Sequence, residues 1–436
     1  MVEARDRLGG RIWTMRPDAG ATGMWPMELG AEFVHGRPPD ILGIAQAASL
    51  TLAELAGTNW ISTGGQLSRG ATGDDVEAEE AGESEENDTT WETVMGWQGE
   101  DATLQEVFAT QFADVRWAAA REQIARYVQG YDAADPAKVS VRWLAQTEAA
   151  AAAIDGSRQY RVVDGYDRVL TWLYAGVAPE RTVLALNTLA HTLRWTPGAV
   201  TVEVRSRDGK ELEPFTARAV VVTAPLGVLT APADQLGALR FLPELPQGHL
   251  AACAKLAMGQ TVKVILRFRE PFWDPWQPAQ LGGSAPETPI LPRLSFLLSD
   301  DAVLPTWWTS DPLLTPTLTG WAGGPPTEHL VRQADADIAD QAMEALARVL
   351  DVRRADLDRR LEQWHLHNWS TDPFARGAYS YVRAGGMDAP QQLGTAVAGT
   401  VFFAGEATNA DGHTGTVHGA LATGRRAADE VLAAIG

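Results

Sequence analysis

The spacing of apolar residues changes along the chain, and the change predicts where helices give way to strands. Leu104, Val107, Phe108, Phe112, Trp117 and Ile124 recur at helical intervals and predict a helical region over 103–128. From about residue 160 the texture turns to short runs rich in β-branched residues, predicting strands at 182–187, 200–205 and 218–223. Ala219, Val220, Val221, Val222 and Thr223 show no polar alternation, so this run reads as a strand covered on both faces. It stops at Ala224-Pro225, because proline cannot continue a ladder. Residues 260–268 alternate instead, with Val262, Val264, Leu266 and Phe268 on one face and Thr261, Lys263, Ile265 and Arg267 on the other. A long amphipathic helix is predicted over 328–350, a strand over 400–404 and a helix over 416–435. Residues 1–4 read as the end of a strand that runs into a turn at Gly9-Gly10. The acidic stretch 74–88 has no apolar periodicity and predicts a solvated, mobile loop. Strands and helices mixed in this way imply an α/β or α+β fold with discontinuous domains.

A length of 436 residues leaves room for two intergrown domains. A hydrophobic fraction of 45% with 21% charged residues is that of an ordinary globular protein. The net charge of -20 lacks the basic footprint that phosphate backbones require, which excludes a nucleic-acid partner. Cys253 is the only cysteine, so there is no disulfide framework and no cysteine-based metal site, as suits a reducing, cytoplasmic setting. No run of apolar residues is long enough to span a membrane.

Candidate chemistry lies at the two ends of the chain. Glu3 stands where a dinucleotide-binding fold places the acid that bonds a ribose, and Gly9-Gly10 lets the backbone pass close to a diphosphate. Arg5 and Arg11 suit phosphate oxygens or the fixing of the loop. Read alone, the pair of glycines between arginines is an ordinary turn. Near the C-terminus a strand ends at Ala404, Gly405 and Glu406 follow, and a long helix begins near Gly415. The first N–H groups of such a helix and its positive end suit an anion or an electron-rich ring edge. A plain strand–turn–helix capped by glycine explains the same spacing.

Six stretches in order carry a resemblance: EARDRLGGR at 3–11, ELGAEFVHG at 28–36, TAPLGVL at 223–229, the strand of Lys263 ending in Pro271-Phe272-Trp273, WSTDPFARGAYSY at 369–381, and 403–420. Together they resemble the flavin-containing amine oxidases, closer in flavour to polyamine oxidases and lysine-specific histone demethylases than to mitochondrial monoamine oxidases. The resemblance implies FAD as cofactor, with Glu3, Arg5, Gly10 and Arg11 at its adenosine and diphosphate end, and Ala190 lending a backbone contact near adenine. It implies that Glu32 and Phe33 lie along the flavin, and that Gly405, Glu406, Thr416 and Val417 make the C-terminal flavin contacts. Trp369 and Tyr379 become aromatic walls, and His35 a residue of the substrate channel. Lys263 matches the lysine that holds a water against the flavin. Read locally, a lysine on the polar face of an alternating strand is simply solvated. Ala378 stands where monoamine oxidases have a flavin-bonded cysteine, which implies a non-covalent FAD. Thr416 stands where they have a second cage tyrosine, which implies a more open pocket.

The implied architecture is α/β. It combines a discontinuous Rossmann-like FAD-binding domain (1–58, 159–231 and 391–436) with an α+β substrate-binding domain holding a mixed sheet (59–158 and 232–390). The first strand, Gly-rich turn and helix of the family pattern are absent before Glu3. The implied reaction is oxidation of a small amine by hydride transfer to flavin, with oxygen as acceptor, giving imine or aldehyde and hydrogen peroxide. A desaturase, an amino-acid oxidase and an inactive truncated relic are the alternatives.

Overall fold

The strand Thr261–Phe268 lies second in a seven-stranded mixed sheet. The computed structural model describes residues 1–16, 25–70, 85–274 and 291–436. Across this sheet the order is Leu361–Leu366, Thr261–Phe268, Thr317–Gly323, Thr306–Trp308, Leu294–Ser299, Thr58–Thr63 and Gln66–Arg69. Leu294–Ser299 runs parallel to Thr58–Thr63 and the other pairings are antiparallel. Val264, Leu266 and Phe268 meet Ile338, Ala342 and Leu346 of the helix Asp335–Val349, so the expected apolar face does form a core. The opposite face is not solvated: Thr261, Lys263 and Ile265 are also buried. The alternation marks two kinds of interior, one dry and one polar.

The rest of the fold is built from short strands and helices drawn from distant parts of the chain. Val220–Val222 runs parallel to Val401–Phe403, and Val2 bridges Ala185 in parallel. Phe33–His35 and Leu52–Glu54 flank Gln159–Val162. Val34, Ile41, Val162, Tyr166 and Val169 form a small core, against which Val417 and Leu421 of the helix Val417–Ile435 pack.

Several elements differ from the sequence expectation. Within 182–187 only Ala185 takes part in a bridge; the strand runs Thr188–Thr196, after Asn187 has turned into the left-handed region at φ 51°. It pairs with Ala199–Ser206 through Pro197 and Gly198, a hairpin signalled by that Pro-Gly pair. The run 218–223 shrinks to Val220–Val222 and is not covered on both faces, since Val221 is 40% exposed. The helical region 103–128 is two helices, Leu104–Gln111 and Ala118–Tyr131. A Thr103–Glu106 capping box starts the first of them. The helix expected over 328–350 begins only at Asp335, because Gln333 is extended after the short turn Leu330–Arg332. Of the acidic stretch 74–88, residues 74–84 lie outside the described residues, whereas Glu85, Glu86 and Asp88 form the first turn of the helix Glu85–Met95. Carboxylates at that end complement the helix dipole.

Candidate active site

Lys263 points from the polar face of its strand into a closely paired site. Its Nζ donates to the Gly30 carbonyl at 3.1 Å and lies 2.5 Å from Glu32 Oε2. The other Glu32 oxygen accepts from Trp308 Nε1 at 3.1 Å and from the Arg161 guanidinium. Arg161 is held in turn by the carbonyls of Thr309, at 2.7 Å, and Asp311, at 3.0 Å, and it covers the Phe33 ring. Burial by itself would raise the Glu32 carboxyl, but Lys263 and Arg161 outweigh it and hold the group well below the usual carboxylate range. Lys263, Glu32 and Phe33 are therefore brought together. Arg161 and Trp308 complete the group, and no local pattern in the sequence marks either.

Gly30 is small because the chain crosses itself there. A side chain at that position would fall on the Arg11 carbonyl oxygen and press on Trp369. Trp369 Nε1 donates to the Leu29 carbonyl at 2.8 Å, and its ring meets Trp13 and His367 edge-on. Arg5 commits both terminal nitrogens to Asp372, at 2.7 and 2.9 Å, and Asp372 also takes His367 at 2.7 Å. This buried pair ties down the chain just before the turn carrying Gly9 and Gly10, both in the left-handed region, and Arg7 holds the turn itself by donating to the Gly10 carbonyl at 2.8 Å and the Ile12 carbonyl at 2.9 Å.

On the C-terminal side, Glu406 is a hub. It accepts from Arg11 Nη1 at 2.8 Å, from Ser380 Oγ at 2.6 Å and from the Gly415 N–H at 3.0 Å. Gly405 sits at φ 122° with nothing nearer to its absent side chain than the Thr223 carbonyl at 4.0 Å, and Gly10 also borders open space. Thr416 caps the helix that Val417 begins, its hydroxyl accepting from the Gly419 N–H at 3.0 Å. Glu3 lies farther off, paired through its backbone with Ala185 and Thr188. Ala190 stands on the strand that begins at Thr188, packed against the cluster of Val222 and Val401.

A third group lines an aromatic wall. Tyr127 and Tyr131, one helical turn apart at the end of Ala118–Tyr131, stack at 5.3 Å. The His35 ring meets Tyr131 edge-on at 5.6 Å, and Tyr379 donates its hydroxyl to the Tyr131 carbonyl at 2.7 Å. Burial holds His35 neutral, its pKa lowered to about 4. Asp132 caps the same helix, and its carboxyl is pushed up to about 8, first by burial and then by Glu148. The Tyr-x-x-x-Tyr-Asp spacing at a helix end was the available signal for this group.

Glu28 is a further buried acid that sequence reasoning did not reach. It accepts from the Tyr166 N–H at 2.7 Å and from the Thr14 hydroxyl at 2.8 Å. Burial raises it to about 7, and the hydrogen bonds offset that only in part. Because its folded value lies above its unfolded one, the associated stability is full below about pH 4.5 and is lost as pH rises through about 7. Glu28→Gln is therefore expected to be the more stable protein at pH 8 by on the order of 2 kcal/mol, a gap that closes in acid. Urea melts at the two pH values check this.

These groups have counterparts in known proteins. The family described as flavin containing amine oxidoreductase matches residues 1–432. The human peroxisomal N(1)-acetyl-spermine/spermidine oxidase is 29% identical over 307 residues, covering 63% of this chain and 56% of that protein, so the chain spans little more than half of that relative's length. Polyamine oxidase 2 of Arabidopsis thaliana is 25% identical over 458 residues, covering 99% of this chain and 82% of that one. Among solved structures, a putrescine oxidase bound to putrescine superposes with a TM-score of 0.73 at 18% identity, over 99% of this chain and 93% of that one. Cyclohexylamine oxidase from Brevibacterium oxydans gives 0.75 at 19% identity, over 99% and 92%. The fold is thus that of the FAD-dependent amine oxidases, and with a match running from the first residue to within a few of the last, the chain belongs to the flavin-containing amine oxidoreductase family.

Proposed function

We propose that this chain oxidises a small amine bearing a second cationic group, a diamine or polyamine, at a non-covalently held FAD. The observation that carries this reading is a wall of Tyr127, Tyr131, Tyr379 and neutral His35 that ends at the half-buried acid Asp132. Aromatic faces attract alkylammonium groups, and the Asp132 carboxyl, in a desolvated setting with Glu148 near, supplies the matching charge. A cation placed there would draw the proton off Asp132, so diamine binding and proton release are coupled.

The residues fit the cofactor. Open space beside Gly10 and Gly405 leaves room for backbone to approach it, Arg11 and the helix start at Thr416 and Val417 supply positive charge, and Glu406 orders the turn between them. Glu3 lies on the side assigned to the ribose. Ala378, whose carbonyl accepts from Arg11, offers no sulfur for a covalent bond. The chemistry FAD supplies when bound is acceptance of a hydride from the amine α-carbon, leaving an iminium that water hydrolyses, after which oxygen takes two electrons and two protons to become hydrogen peroxide. The chain's part is to exclude water, hold the amine neutral at the reacting end and cationic at the Asp132 end, and keep Lys263 beside Gly30. An amino-acid oxidase reading needs an arginine for the substrate carboxylate. Arg161, the arginine nearest Phe33, already serves Glu32 and the carbonyls of Thr309 and Asp311.

Asp132→Asn is expected to raise the KM for a diamine about 30-fold, the loss of roughly 2 kcal/mol of charge pairing, while a monoamine of equal length changes little. Steady-state peroxide assays on the FAD-loaded protein, across chain lengths, check it. Equal losses for both substrates, or none, count against the assignment.

A further inference from the structure

Glu32 is more elaborately held than a residue lying along a flavin requires. Its side chain is 10% exposed, and those of its partners Arg161 and Lys263 are 8% and 5% exposed. Each partner is fixed by a second contact: Arg161 by the carbonyls of Thr309 and Asp311, Lys263 by the Gly30 carbonyl, and Trp308 by packing against Phe33 and Phe296. Glu28 is the other acid whose charge is felt here, coupled to both Lys263 and Glu32. A buried ion cluster of this kind adds little stability over apolar packing, so its purpose lies elsewhere. A lysine sealed off from water alone tends to lose its proton. Glu32 Oε2 sets a carboxylate 2.5 Å from Lys263 Nζ, and Arg161 on the far side helps keep that carboxylate ionised, so the lysine faces a fixed anion.

We propose that Glu32, seated by Arg161, is a positioning residue that keeps Lys263 an ammonium at a fixed place, so the lysine meets the cofactor and oxygen as a stationary cation and proton donor rather than as a base. The proposal deepens the amine-oxidase reading and rests on it for the location of the cofactor.

The test uses FAD-loaded protein reduced chemically with dithionite and mixed with oxygen, so that no amine is needed. The wild-type reoxidation rate is expected to stay level between about pH 6 and about pH 9, because the lysine stays paired with the Glu32 carboxylate. In Glu32→Gln the rate is expected to fall about tenfold across a single inflection inside that window. In the background of Lys263→Met, adding Glu32→Gln is expected to change nothing further. A level profile for Glu32→Gln overturns the proposal, as does an equal further loss in the double variant. If Glu32→Gln fails to fold, Arg161→Met takes its place: an inflection is expected, and a level profile overturns the idea. Thermal melts of the cofactor-free chain give an independent reading. The destabilisation by Glu32→Gln should shrink when Lys263 is already Met, and strict additivity of the two changes refutes the pairing. An enzyme that shows this pH behaviour yet is reduced by no diamine sinks the amine reading and leaves the role of Glu32 standing.

Discussion

Lys263→Met is expected to slow reoxidation of the reduced flavin by about two orders of magnitude while the chain stays folded. Methionine matches the length and apolar stem of lysine and adapts to irregular space. Glu32 keeps Arg161 and Trp308, so the carboxylate is not stranded when the ammonium goes. What disappears is the group beside the Gly30 carbonyl that the proposed function sets against the negative charge of oxygen reduction. Stopped-flow mixing of the reduced protein with oxygen measures the effect, and far-UV circular dichroism confirms the fold. An undiminished rate in a folded variant would remove Lys263 from the mechanism.

Arg5→Met is expected to destabilise the protein by about 3 kcal/mol or more at neutral pH, because it takes the bidentate arginine from the buried Asp372 carboxylate and leaves it the hydrogen bond to His367. Lysine in place of arginine would not repair the loss, since the pair is bidentate. Burial alone would raise the Asp372 carboxyl, but the bonds from His367 and Arg5 and the charge of Arg5 hold it far below the ordinary value. A group depressed in this way adds stability that is present above the unfolded value, about 3.9, and is lost as pH falls further. The gap between Arg5→Met and the parent should therefore be widest near neutrality and shrink below about pH 4, as urea titrations at each pH would record. Weaker FAD binding is expected alongside, because Asp372 anchors Arg5 in the chain that leads into the Gly10 turn.

The contrast between Lys263 and Asp372 shows what was legible in the sequence. Alternation placed Lys263 on the strand face opposite the dry core, and the glycines at 9, 10 and 405 marked turns that do form. Both readings depend on neighbours in the chain. The pairing of Arg5 with Asp372 spans 367 positions and that of Lys263 with Gly30 spans 233, and no local period encodes them. Glu32 was placed beside the flavin by resemblance, but its clamp by Arg161 and Trp308 depends on how three strands converge. The false strand at 182–187 and the overlong helix at 328–350 fail for a different reason. Their composition fits, yet single residues, Asn187 and Gln333, leave the required backbone region.

The Glu406 hub sets an order for biosynthesis. Arg11 is made early, and the carboxylate that will hold it is translated 395 residues later. Until then Arg11 has neither the Ala378 carbonyl nor the Glu406 carboxylate to bind, so this turn settles on that side only after both have been made.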